Sequence, residues 1–251
     1  EDFTEGYRQV HEYADAALAI DPNNAAALHS KANALWVSEL DIVAATNLYE
    51  RALESDANHS GAIGWLSFLL LAQGRNDEAI ELAERALDID PLSIAAFRAL
   101  GDAYRVAERF DDAITMYKTA LELQPDTARV HGRLARIALG QRDFETAAVH
   151  IPLEPVQWVK DMYAIMLNSK GEDSQAFQDA ARAYEAAYGT SNSYQLAEIY
   201  GFVGDMDNTF KWLQTGIDVK DPGVPWASTS VFLQPAQDDP RWPSILEQLG
   251  L

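Results

Sequence analysis

At 251 residues, 48% hydrophobic and 23% charged, the chain has the composition of a globular protein with one large domain or two modest ones. A formal net charge of −20 repels nucleic acid and anionic lipid headgroups, and the absence of cysteine removes disulfides, thiolate nucleophiles and cysteine-based metal sites. The longest apolar run, Ile63 to Ala72, is broken by Gly64 and Ser67 and falls short of the roughly 20 residues that span a bilayer.

Residues 5–20 predict one helix, with Tyr7, Val10, Ala14 and Ala17 on a stripe that leads to Pro22. It resembles the second helix of a pair whose first member is missing. The chain therefore reads as cut from a longer protein, since a stacked unit cannot bury its face alone.

From Ala25 a pattern repeats. The first unit carries Leu28, Leu35, Ala45, Tyr49 and Ala52. The second, from Ser60, carries Ile63, Leu66 and Leu70, then Gly74, then Ala79, Ala83 and Ala86. The third, from Ile94, carries Phe97, Leu100, Gly101 and Tyr104, then Ala113, Tyr117 and Ala120. Pro91 and Pro125 stand 34 residues apart, and Pro22 stands 69 before Pro91. Each unit is two helices, small residues falling where helices cross closely and large ones where the next unit must be filled. Asn24, Ser93 and Thr127 are placed to cap first helices. Asp77, Asp111 and Asp207 sit in the first turn of second helices, where a negative charge suits the dipole.

A fourth unit begins at Ala128 with Leu134, Ala135 and Ala138. Its second helix is expected to stop at Ile151-Pro152, because Pro152 and Pro155 together forbid a continuous helix. A fifth carries Trp158, Met162 and Ile165, then Ala176, Ala180 and Ala183. A sixth carries Leu196, Ala197, Tyr200, Phe210 and Leu213. These breaks divide the chain into an array over 1–151, a second lobe over 152–221 and a Pro-rich segment over 222–251. The last is expected to cap the array through Trp242, Ile245 and Leu249.

The stretch Phe97–Pro125 resembles the tetratricopeptide repeat, a 34-residue helix-turn-helix, and the likeness extends over roughly residues 5–221. The resemblance implies an all-α superhelical solenoid of about six repeats with a C-terminal capping segment. It also implies a protein-binding function. Tyr200–Asp207, Asp221-Pro222 and the ending Asp239-Pro240-Arg241-Trp242 to Leu249-Gly250-Leu251 are similar to the C-termini of bacterial multidomain regulators. Those carry class III adenylate cyclase or winged-helix domains, often with a membrane segment and a TolB-like region. The implied role is the interaction region of such a membrane-linked signalling protein. The alternative is a freestanding adaptor in envelope assembly or secretion, and a cysteine-free chain suits the cytoplasm or the periplasm.

Catalytic signatures are absent from the sequence. It has no Gly-rich phosphate loop and no His-Glu-x-x-His, Gly-x-Ser-x-Gly or EF-hand pattern. His11, His29, His59, His131 and His150 have no metal-ligand spacing. The acidic pairs Asp111-Asp112 and Asp238-Asp239 read as capping and solvation. No catalytic residue, cofactor or metal is expected.

Ligands of the tetratricopeptide family lie in the concave groove lined by first helices. The family's groove positions carried onto this chain are Asn33 and Trp36; then Trp65, Phe68 and Leu71; then Arg98, Asp102 and Arg105; then Arg129, Arg133 and Arg136. Five arginines in the groove of an acidic chain predict a partner segment with apolar anchors and acidic groups. A second reading is internal pairing. Asp102 lies four residues after Arg98 and three before Arg105, and the aromatic helix Gly64–Ala72 can be covered by another part of the same protein. The family's carboxylate-clamp positions are matched only by Asn33, Arg129 and Arg133, in units that are not consecutive, so chaperone-tail binding is not expected.

Overall fold

The computed structural model describes residues 3–251. A first helix, α1 (Phe3–Ile20), packs on α2 (Ala25–Glu39), and six helical hairpins follow. They pair α2 with α3 (Ile42–Ser55), α4 (Ser60–Ala72) with α5 (Asn76–Ile89), and α6 (Ile94–Val106) with α7 (Phe110–Leu123). The remaining pairs are α8 (Val130–Gly140) with α9 (Phe144–His150), α10 (Gln157–Ser169) with α11 (Gln175–Tyr188), and α12 (Ser193–Val203) with α13 (Met206–Asp218). Two 3-10 turns, the short α14 (Gln234–Gln237) and α15 (Trp242–Leu249) complete the chain. No strand occurs among the described residues.

The helix starts follow local chemistry. Asn24 and Ser93 accept from the N–H groups of Ala27 and Ala96, as their positions predict. Asp41, Asp143, Ser174 and Asp205 cap in the same way. The stripe residues fill the core: Leu28, Ala45, Tyr49, Ala79, Ala113, Tyr117 and Ala120 are fully buried. Gly101 shows why small residues recur at crossings, since a Cβ there would lie 2.5 Å from the Tyr117 ring.

Thr127 departs from expectation. Its hydroxyl donates to the Gln124 carbonyl, and α8 begins three residues later, after Arg129 in the left-handed region at φ 67°. The cap comes instead from Glu154, which is fully buried. Glu154 Oε1 accepts from Arg129 N–H at 3.0 Å and Oε2 from Gly132 N–H at 2.8 Å. The Pro152–Pro155 break therefore turns the chain back so that a carboxylate reaches the α8 N-terminus, where dipole and free N–H groups favour it. Asp221, before Pro222, repeats the device on the last hairpin: Oδ2 accepts from Tyr194 N–H, at the start of α12, at 2.9 Å.

Helical continuity stops at residue 150, but the apolar core does not. One cluster runs from Ala135 and Leu139 through Ile151, Val159 and Met166 to Leu213 and Leu249. The expected boundary at 151/152 thus lies inside a continuous core. Two further clusters fill the N-terminal hairpins. In the final segment α15 packs on α13, with Trp242, Ile245 and Leu249 all buried and Trp242 set edge-on to Phe210.

Candidate functional site

The first helices α4, α6, α8, α10 and α12 carry the residues of the concave wall, and the chain's own residues 222–233 lie across it as a strap. Pro222 and Pro225 keep the strap from continuing α13. Trp226 packs on Phe68 of α4, ring centroids 3.6 Å apart. Ser228 Oγ donates to the carbonyl of Ala72, at 3.2 Å, in the last turn of α4, where helix acceptors lack partners. At its other end the strap rests on α12: a Cβ on Gly201 would meet the Phe232 carbonyl oxygen at 2.6 Å. Trp226 and Leu251 pack against both sides' apolar residues, so the C-terminal segment joins the two ends of the array.

The aromatic half of the expected groove is therefore filled from within. Trp36 is 5% exposed and Leu71 1%, so both are core residues; the first-helix faces that carry them meet neighbouring side chains rather than solvent. Trp36 lies 5.2 Å from Trp65 and 6.1 Å from Phe68. Trp65 keeps an exposed edge. Asn33 is held inside its own hairpin, where Tyr49 OH donates to its Oδ1 at 2.6 Å and His29 Nε2 lies 3.1 Å from its Nδ2.

The basic half is divided. Arg133 Nε donates to both Asp102 oxygens at 2.8 and 2.9 Å, and Tyr117 OH donates to Asp102 at 2.8 Å. Arg136 makes a forked pair with Glu198, Nη1 to Oε2 at 2.9 Å and Nη2 to Oε1, while Ser230 of the strap accepts from Nη2 at 3.0 Å. Arg136 also lies over the Phe232 ring. Both arginines of the expected groove are thus engaged internally. Burial pushes the Asp102 carboxyl up, and the Arg133 guanidinium outweighs it, holding it below the usual carboxylate range. Burial and Arg136 act on Glu198 in the same two senses, with the same net direction.

Arg98, Arg105 and Arg129 differ. Arg105 Nε stands 3.8 Å from Asp102, beyond hydrogen-bond reach, and the Nε atoms of Arg98 and Arg105 are buried without a hydrogen-bond partner. Arg129 sits over Trp158, 5.3 Å from its ring centroid, and the Glu154 carboxylate acts on it only through its charge. Burial and then the like charge of Arg133 lower the pKa values of both Arg98 and Arg129.

Two hollows remain beside the strap. The larger, about 860 Å³, is lined by Gln73, Asn76, Arg105, Gln141, Ser228 and Leu251 among others. The smaller, about 200 Å³, sets Arg105, Arg129, Arg133 and Arg136 against only Asp102 and Glu198, beside Trp158 and Trp226. Glu198, Ser230 and Trp226 were not among the expected site residues. A glutamate amid the apolar stripe Leu196, Ala197 and Tyr200 was a readable sign of a buried acid; the strap offered none, because it has no periodicity. Among the described residues no three His, Asp or Glu side chains gather to hold a metal, and no helix is long and apolar enough to cross a membrane.

Two tetratricopeptide-repeat family models match the chain, over residues 37–103 and 98–150; neither describes an enzyme. Among solved structures, PilF of Pseudomonas aeruginosa is similar at 20% identity and a TM-score of 0.52, covering 93% of this chain and 90% of PilF. The MamA RS-1 ArsTM double mutant is similar at 20% identity and 0.50, covering 61% of this chain and 93% of its own. A crystal structure of MamA matches at 18% identity and 0.50, covering 61% and 92%. At such identities the likeness is one of fold. No curated protein matches.

Proposed function

We propose that the chain, of which residues 37–150 match tetratricopeptide-repeat models, is a protein-binding scaffold that docks an acidic segment with apolar anchors against the basic wall of α6, α8 and α10. One observation carries this. In a chain of net charge −20, the smaller hollow presents four arginines to two carboxylates that are already hydrogen-bonded. Trp158 and the edge of Trp226 supply apolar contact beside them. The partner docks next to the strap, not in its place, because Trp226 and Ser230 are held at both ends.

Fluorescence anisotropy tests this with labelled peptides of one length, one acidic with a single Leu, one with Lys in place of each acid. The acidic peptide is expected to bind and to weaken with salt, as the Debye length falls to about 8 Å at physiological ionic strength. Arg105→Glu with Arg129→Glu should abolish that preference. Equal binding of both peptides defeats the reading.

The proposal extends to the setting. The likeness of the ending Asp239-Pro240-Arg241-Trp242 to Leu251 supports a place in a bacterial membrane-linked signalling protein, an adenylate cyclase or a transcriptional regulator. The reading frame upstream of residue 1 tests it: a cyclase or winged-helix domain there agrees, and its absence favours a freestanding adaptor.

A further inference from the structure

The smaller hollow has a charge arrangement that its own residues do not complete. Asp102 spends its two oxygens on Arg133 and on the Tyr117 hydroxyl. Glu198 spends its own on Arg136, Tyr194 OH and Ser230 Oγ. A carboxylate has about four acceptor sites in all, so neither acid has much left to offer. Of the hollow's arginines, Arg105 and Arg129 then stand as two guanidinium groups without a hydrogen-bonded carboxylate among the described residues. The Nε donor of Arg105 is buried and unpaired. A buried unpaired donor is uncommon enough to need a reason, and leaving one costs desolvation without return.

We infer that this hollow is a binding site for a doubly charged oxyanion group, a phosphate or a pair of carboxylates, gripped by Arg105 and Arg129 above the fixed Arg133–Asp102 pair. Guanidinium forks fit the oxygen edges of both groups, and the surplus of cations calls for more than one negative charge. The hollow, about 200 Å³, has room for such a group. Trp158, under Arg129, walls one side. The like charge that Arg133 sets against Arg129 is offset when the anion enters. The inference rests on the scaffold reading for its biological source, since the dianion would be carried by the docked segment, but the site itself stands on the arginines alone.

The test is isothermal titration of the whole chain with inorganic phosphate, with succinate, and with chloride at matched ionic strength. Saturable binding of phosphate or succinate, absent with chloride, is expected. Phosphate alone binding marks a phosphate group as the natural ligand, succinate alone marks paired carboxylates, and both uphold a dianion site. Arg129→Gln and Arg105→Gln are each expected to weaken binding about tenfold, the loss of one charge-assisted hydrogen bond. Arg129→Lys, which keeps the charge without the fork, should fall between. Thermal melts of each variant exclude unfolding as the cause. Binding no tighter than chloride, or unchanged in both Gln variants of intact fold, overturns the site. If acidic peptides still bind in that case, the scaffold reading survives on its own.

Discussion

Arg136 of α8 and Glu198 of α12 meet as a forked ion pair across 62 residues of sequence, with Ser230 of the strap bonded to both. Glu198 is 1% exposed, and Arg136 covers the Phe232 ring. One polar contact therefore ties together a first helix of the fourth hairpin, a first helix of the sixth and the segment that crosses between them.

Removing one partner from that pair leaves a buried charge without compensation. Arg136→Ala should cost about 3–5 kcal/mol of unfolding free energy. Replacing both, Arg136→Met with Glu198→Leu, should recover most of that, because the desolvation of two charges disappears together. Urea unfolding of the three proteins decides it; a double variant as weak as the single would count against this account.

The strap depends on a close approach at Gly201. In Gly201→Val the new side chain meets the Phe232 carbonyl, a backbone atom that cannot turn aside. The strap should lift, uncovering Phe68. Binding of the dye ANS, with a Trp226 emission shift toward the exposed wavelength, reports it. Trp226→Ala should give the same dye response without the clash.

Glu154 serves as a cap supplied from outside the helix it caps. Glu154→Ala should cost about 1–3 kcal/mol and raise hydrogen exchange at the Arg129 and Gly132 amides. Glu154→Gln, which keeps the acceptor oxygen but loses the charge, should fall between. Unchanged exchange at those two amides in Glu154→Ala would falsify the capping role.

Acid should weaken the fold before the carboxylates titrate. His131 and His150 face each other with Nδ1 atoms 3.1 Å apart, an arrangement that two protonated rings cannot share. Burial lowers both pKa values, and His131 lowers His150 further. Burial lowers His29 as well, with His59 adding to it. The unfolded chain then binds protons more readily, near the ordinary histidine value of about 6.5. Stability should be full above that pH and fall as pH drops below it. Asp102 and Glu198 act in a lower window: held below the usual range, they stabilise above the unfolded carboxylate values and lose that contribution as pH falls through their folded ones. Melting temperatures at pH 7.5 and 5.0 measure the histidine part, and His131→Gln with His150→Gln should flatten the difference.

Much of this architecture is local and was readable residue by residue. Six hairpins, their boundaries at Pro22, Pro91 and Pro125, and caps such as Asn24 and Ser93 follow from a 34-residue period and the needs of free helix N–H groups. These depend on neighbours a few positions apart, which a linear pattern records. The capping of α8 did not follow, since Glu154 acts on residues more than twenty positions before it and Thr127 offered a nearer candidate.

The site was legible only as a set of positions. The sequence by itself determined that arginines cluster on the first helices α6 and α8 in an acidic chain, because helical phase assigns a face to every residue. It could not determine which of them face open space. The tertiary structure decided that Trp36 and Leu71 are core, that Arg133 and Arg136 are bonded to Asp102 and Glu198, and that Arg98, Arg105 and Arg129 are not. It also decided that residues 222–233 lie in the groove. That segment has two prolines and no repeating stripe, so its place is set by what it touches: Phe68, Ala72, Arg136 and Gly201. Periodic elements announce their partners through spacing, whereas an aperiodic strap is held by single contacts between residues far apart in the chain, and those exist only once the solenoid has formed.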